Sequence, residues 1–318
     1  LGLSAAVICV AQCQQSGPTM STAPTQATDV KLVTRVSRSP SKPFVKKTPI
    51  DRPSDAGAQP GELERSVDAE RGSNISNASA AERSLEQFAQ ADPLGFAEYC
   101  LQRCRESVKD YRCTFVKREK IGGAVLDPQV VDVRFRSQPY SVDMEFVENV
   151  RSCARALYVE GKWTNDDNEK LAWVKPGGAI LRALVPKIKQ PIHGPRAEKE
   201  SRRTIDQFGF ERTLELIVKY AVEAKAKGEL GLRYVGIGEV DGRPTFVFER
   251  NLPYTGEEFP YPDNILVYHI DQEYLMPVSC QSYADEEATD LLGSYVYQNV
   301  ELNVGYHDSD FDPDLIDF

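Results

Sequence analysis

Histidine is scarce, with three in 318 residues. That leaves little for imidazole acid–base catalysis or for His-rich metal sites. The chain has no GxxxxGK(S/T), no HExxH and no GxSxG, which removes the commonest routes to phosphate binding, zinc proteolysis and esterase chemistry. Positive charge is also in deficit. Lys+Arg number 38 against 48 Asp+Glu, a formal net charge of −10, and residues 91–318 alone carry −11. A surface that acidic repels phosphates, so nucleic acid is not expected as a partner. No apolar run approaches the roughly 20 residues of a membrane-spanning helix.

What is present begins with Leu1–Val10 (LGLSAAVICV), apolar until Gln12. It has the length of a secretory h-region, though no basic n-region precedes it, and it reads as the remnant of a signal sequence over 1–13. Val10-Ala11-Gln12-Cys13 is a faint lipobox, with Gln12 where a small residue belongs, so lipidation of Cys13 stays open beside an ordinary terminus. Residues 14–84 are rich in Ser, Thr, Pro, Ala and Gln, with Phe44 the sole aromatic. Such a segment cannot bury enough surface to offset its ordering entropy, and a disordered tether is expected there. The folded domain is expected over 85–318. It holds Cys100, Cys104, Cys113, Cys153 and Cys280, an odd number whose pairing the sequence leaves open. Cys100 and Cys104 lie one helical turn apart, and with no CxxC nearby they read as core-facing thiols.

Asp92-Pro93 is a strong helix start. Leu94, Ala97, Leu101, Cys104 and Val108 then recur at helical spacing and end before Tyr111. From Tyr111 the period becomes two. Val131, Val133 and Phe135 alternate with charges, as do Val142, Met144 and Phe146, and Ala154–Glu160 and Lys170–Lys175 follow. Gly122-Gly123 and Asn165–Asn168 are turns, and Ile180–Val185 is a further strand candidate. A second helix is predicted over Phe210–Lys227, with Gly228 just past its end. Strands resume at Leu232–Glu239 and Thr245–Arg250 around an Asp241-Gly242 hairpin turn. Asn264–Ile270, Pro277–Tyr283 and Leu291–Val304 complete the set. The whole reads as α+β, built on one large antiparallel sheet with a helix before it and a helix inserted mid-chain.

Several constellations fall away on inspection. Gly236-Ile237-Gly238 with Gly242 has the wrong spacing and context for a dinucleotide loop. Asp308, Asp310, Asp312, Asp314 and Asp317 resemble the start of a calcium loop, but Pro313 stands where glycine is needed, so a solvated tail and no bound metal are expected. His193, His269 and His307 are dispersed, with His269 read as a sheet-surface residue. Glu257-Glu258 and Glu286-Glu287 are adjacent pairs that would point to opposite faces of a strand, and they read as loop glutamates. The connection Asn251–Asp263 is crowded with Tyr254, Phe259, Tyr261 and prolines. It is either folded over the sheet or a lid on a cavity.

Tyr111–Glu119 (YRCTFVKRE) with Gly122, Arg134–Val142 (RFRSQPYSV), Tyr158–Gly161 (YVEG), Ser201–Gly209 (SRRTIDQFG), Tyr295–Tyr297 (YVY) and Phe311–Pro313 (FDP) stand in this order. In them the chain resembles, over roughly residues 90–318, the bacterial family known as domain of unknown function 1571. That family is similar to the periplasmic lipoprotein-sorting carriers of the LolA/LolB type. The resemblance implies an incomplete antiparallel barrel wrapped around the N-terminal helix, with an apolar cavity for acyl chains. It carries no catalytic residue, and this chain departs from it in its long polar tether. If helix 92–109 lies in the concavity, Leu94, Leu101 and Val108 face Val133, Phe135, Met144 and Phe146 across the ligand space, with Tyr254, Phe259 and Tyr261 as the candidate lid.

The expectation is therefore an exported, periplasmic or envelope-associated protein, non-enzymatic and without a cofactor, that binds lipid, lipoprotein or lipidated peptide. Peripheral or tethered membrane association would accompany it. The alternatives are a structural or interaction module with a plugged barrel, and an unrecognised hydrolase.

Overall fold

In the computed structural model, the residues described are 82–178, 186–256, 260–316 and 318. The expected signal remnant, tether and Ile180–Val185 strand lie outside them, apart from residues 82–84. Residues 82–91 form helix α1. Asp92 then interrupts the helix and caps the next, α2 (Pro93–Ser107), by accepting from Gly95 N–H at 3.0 Å.

The strands after α2 follow the period of two. They are β1 (Asp110–Ile121), the two-residue β2 (Ala124–Val125), β3 (Gln129–Arg136), β4 (Ser141–Glu148), β5 (Cys153–Val159), β6 (Leu171–Pro176) and β7 (Ile188–Pro191). Two helices come next, the short α3 (Pro195–Glu200) and α4 (Phe210–Lys227). The second set of strands is β8 (Gly231–Val240), β9 (Arg243–Asn251), β10 (Ile265–Asp271), β11 (Pro277–Tyr283) and β12 (Leu291–Leu302).

Every strand pairing is antiparallel, and the order is β7-β6-β5-β4-β3-β1-β12-β11-β10-β9-β8, with β2 beside β1. Among the described residues the ends of this order, β7 and β8, do not pair with each other. The large open sheet expected from the sequence is therefore the one observed. It is strongly curved. Val174 on β6 and Arg250 on β9 line one cavity, although eight strand spacings separate them, about 40 Å in a flat sheet. Register shifts in β1–β12, β3–β4, β8–β9 and β10–β11 supply bulges, which bend a strand and raise its twist.

Both long helices pack on the concave face. Phe96 of α2 stacks on Phe248 at 5.6 Å and meets Phe246 edge-on at 5.5 Å. At the start of α4, Phe210 stacks on Tyr111 at 4.5 Å, and Tyr111 stacks on Phe135 at 4.6 Å. Arg105 joins the helices through Glu211 at 2.9 Å and Glu215 at 2.6 Å.

On the convex face Asp143 is clamped by Arg134 and Arg155, at 2.5 and 2.7 Å. The acidic tail, expected to be solvated, is partly docked there. Phe311 is buried with Leu157 and Val159, while Asp308 reaches Arg136 at 2.8 Å and Asp314 reaches Lys187 at 2.6 Å. Phe311, with Phe318 packed beside the same cluster, anchors the tail, and its carboxylates then find cations; Asp317 lies outside the described residues.

His269 also corrects its expectation. It is 2% exposed rather than at the sheet surface. Its ring lies over Gly238 on β8, where a Cβ would sit 3.0 Å from Cε1, and its Nδ1 is 3.0 Å from Thr245 Oγ1. The missing side chain at Gly238 provides the space for the ring.

Candidate functional site

A cavity of about 720 Å³ lies between the concave face and the chain that returns from β7 to α4. Inward side chains of β1, β3 and β4 (Phe115, Val131, Met144, Phe146) form its floor, and Ala172 and Val174 of β6 continue it. Leu216, Ile217 and Tyr220 of α4 form one side. The returning segment closes over it with Ile192, Ile205 and Phe208. That segment is pinned by Tyr140, whose hydroxyl donates to the carbonyls of Ile205 at 2.8 Å and Phe208 at 2.9 Å.

The wall toward β9–β12 is more polar. Lys117 Nζ sits 3.1 Å from Glu119 Oε2 and donates to the Glu200 carbonyl. Glu119 Oε1 accepts from Ser201 Oγ at 3.0 Å, Arg202 N–H at 3.2 Å and Tyr295 Oη at 2.9 Å, so this buried carboxylate is well compensated. Burial, and then Glu119, holds the Tyr295 phenol well above its ordinary range. Farther along, Arg250 donates to Asp263 at 2.8 Å, both side chains being 2% exposed.

Chemically this lining is suited to holding a ligand. Two thiols reach it, Cys153 and Cys280, and burial pushes each up to about 12, which keeps them protonated and unreactive at neutral pH. All five cysteines of the described residues are free thiols. Among the described residues no cluster of His, Cys, Asp and Glu is placed to hold a metal ion.

The expected ligand residues divide into three groups. Met144 and Phe146 line the cavity. Leu101, Val108, Val133 and Phe135 lie in the adjoining hydrophobic core rather than on the cavity wall, and Leu94 is buried outside that cluster. The reason is the placement of α2, whose apolar stripe packs on β9 and against α4 while the open volume lies under α4. Of the expected lid, Tyr261 is buried against α4, its hydroxyl donating to Glu229 at 2.7 Å and its ring 6.4 Å from Tyr220. Tyr254 lines a separate concavity beside the ion pair of Lys120 and Asp290. Phe259 lies outside the described residues, as do Glu257 and Glu258. From this connection Pro262 and Asp263 reach the main cavity.

Sequence reasoning passed over the cavity's charged residues. A signal for two of them was present, because Lys117 falls in step with Phe115, and Arg250 with Phe246 and Phe248, along strands whose alternate residues face inward.

The model of a protein family of unknown function (DUF1571) matches residues 108–317. The chain belongs to this family. No curated protein matches it. Among solved structures it is similar to a DUF1329 family protein from Desulfovibrio piger, at 14% identity and a TM-score of 0.35, over 70% of this chain and 96% of that one. A LolA superfamily protein from Nitrosomonas europaea is similar at 10% identity and TM-score 0.27, over 69% of this chain and 99% of that one. The Mycobacterium tuberculosis lipoprotein LppX is similar at 13% identity and TM-score 0.33, over 68% and 99%. No helix among the described residues is long and apolar enough to cross a membrane.

Proposed function

We propose that this protein is an exported, envelope-associated binding protein, non-enzymatic, that holds the acyl part of a lipid or lipidated peptide in the cavity under α4. The observation that carries this is the largely apolar floor to which Phe115, Val131, Met144, Phe146, Ala156 and Val174 contribute. Its volume of about 720 Å³ falls within the range of about 300–1,000 Å³ typical of small-molecule sites. Burying each methylene contributes about 0.8 kcal/mol. A chain of about sixteen methylenes contributes about 13 kcal/mol, which leaves micromolar affinity, about −8 kcal/mol, after about 5 kcal/mol is lost on association. Export is supported by the apolar stretch Leu1–Val10.

Titration with a fluorescent fatty acid tests the reading. The native protein should saturate, and Met144→Asp should abolish uptake while circular dichroism stays unchanged. An absence of saturable uptake, together with no lipid in the purified protein, would overturn it. A second reading, an interaction module with a filled interior, is favoured by the half of the concavity under α2, where Phe96, Phe246 and Phe248 close the space.

A further inference from the structure

The charge on the cavity wall runs against the charge of the molecule. The chain as a whole carries −10, yet the cavity is lined by five cations, Lys117, Arg196, Lys199, Arg203 and Arg250. Only two carboxylates, Glu200 and Asp263, share that lining. Both are already engaged, Asp263 with Arg250 and Glu200 with the Ser152 hydroxyl.

One of the cations, Arg250, has an unsatisfied donor, and a second, Arg203, has no ion-pair partner among the described residues. Arg250 is 98% buried and spends Nη2 on Asp263, but its Nε finds no hydrogen-bond partner among the described residues. A buried donor left unmade is costly, so its persistence on a cavity wall points to an acceptor supplied from outside the chain. Arg203 is half-buried on the same wall and forms no ion pair among the described residues. Both guanidinium groups act on Cys280, and their positive charge opposes the upward push of burial on its thiol. Arg203 also acts on Tyr295 of the neighbouring strand. Both arginines line the cavity with Cys280, and Arg250 on β9 stands six places along the strand order from Met144 and Phe146 on β4.

We propose that the occupant of this cavity is an anionic single-chain amphiphile, its carboxylate or phosphate head held by Arg203 and Arg250 and its tail lying along Met144, Phe146 and Val174. The inference rests on the reading of the cavity as an acyl site and adds the chemistry of the headgroup. Guanidinium groups match planar or tetrahedral oxyanions through paired N–H donors. The low dielectric of the wall strengthens that attraction relative to water.

Displacement of a neutral fluorescent probe, N-phenyl-1-naphthylamine, from the full chain at pH 8 separates the possibilities. Dodecanoate should displace it at a concentration at least about tenfold lower than dodecanol, whose chain is the same length and uncharged. Arg203→Gln should bring the two within about threefold while leaving dodecanol unchanged, and Arg203→Lys should retain most of the preference. Inorganic phosphate at millimolar concentration should leave bound dodecanoate in place.

Equal potency of dodecanoate and dodecanol on the native protein would overturn the headgroup site and leave the acyl cavity standing. So would an Arg203→Gln protein that keeps the full preference. Displacement of dodecanoate by phosphate alone would assign the arginines to a free anion and overturn the amphiphile. A native protein that takes up neither probe nor dodecanoate would overturn the cavity reading, and this inference with it.

Discussion

Arg250 and Asp263 face each other at 2.8 Å with neither side chain more than 2% exposed. One stands on β9 and the other at the end of the connection leading to β10, so the pair ties that connection to the cavity wall. Breaking a buried pair from one side leaves the other charge without compensation, at a cost of about 3–5 kcal/mol. Asp263→Ala should lower the stability measured by urea unfolding by about that amount. A loss below about 1 kcal/mol would mean that water reaches Arg250 freely.

His269 makes stability depend on pH. Burial lowers its pKa from 6.5 to about 4. The folded state thus holds the ring neutral where the unfolded chain would protonate it. Its contribution is fully present above about pH 6.5 and is lost as the pH falls toward 4, since the unfolded chain binds the extra proton in that window. The loss at the acid end is about 3 kcal/mol. His269→Gln should flatten the profile of unfolding free energy between pH 6.5 and 4 relative to the native protein, and parallel profiles would refute the assignment.

Gly209, the residue before α4, has φ of +107°, and a Cβ there would lie 3.1 Å from Tyr111 Oη and 3.2 Å from Phe135 Cε2. Gly209→Ala should therefore destabilise the protein by about 1–3 kcal/mol through backbone strain. It should also weaken probe uptake, because α4 and the segment before it form one side and the cover of the cavity. Thermal unfolding and probe titration of the same variant check both. Unchanged values in each would show that the start of α4 adjusts freely.

Most of the sheet was legible because its strands obey a period of two with inward residues that are apolar. Pro277–Tyr283 and the helix Phe210–Lys227 have the bounds expected from pattern and flanking residues. What stayed hidden was built without periodicity. The cover of the cavity rests on Ile192, Ile205 and Phe208, three apolar residues spread through a polar stretch, and β7 and α3 are too short to show a repeat. The α2 stripe was recognised, yet periodicity tells which face is buried and not against what. It therefore could not distinguish packing on Phe246 and Phe248 from facing an open volume. Lys117 and Arg250 were passed over because each is a charge among the inward, otherwise apolar positions of its strand, in step with Phe115 and with Phe246 and Phe248.

Among the described residues β7 and β8 end the sheet without pairing to each other, and this has a mechanical consequence. A closed barrel can widen only by sliding or breaking a ring of backbone hydrogen bonds. Among the described residues no ladder joins β7 to β8, so the two arms of the sheet can spread by small changes of twist in each strand while every existing ladder bond is kept. Bulkier or longer tails would then be met by gradual elastic resistance of the sheet, with no abrupt cutoff set by a rigid rim.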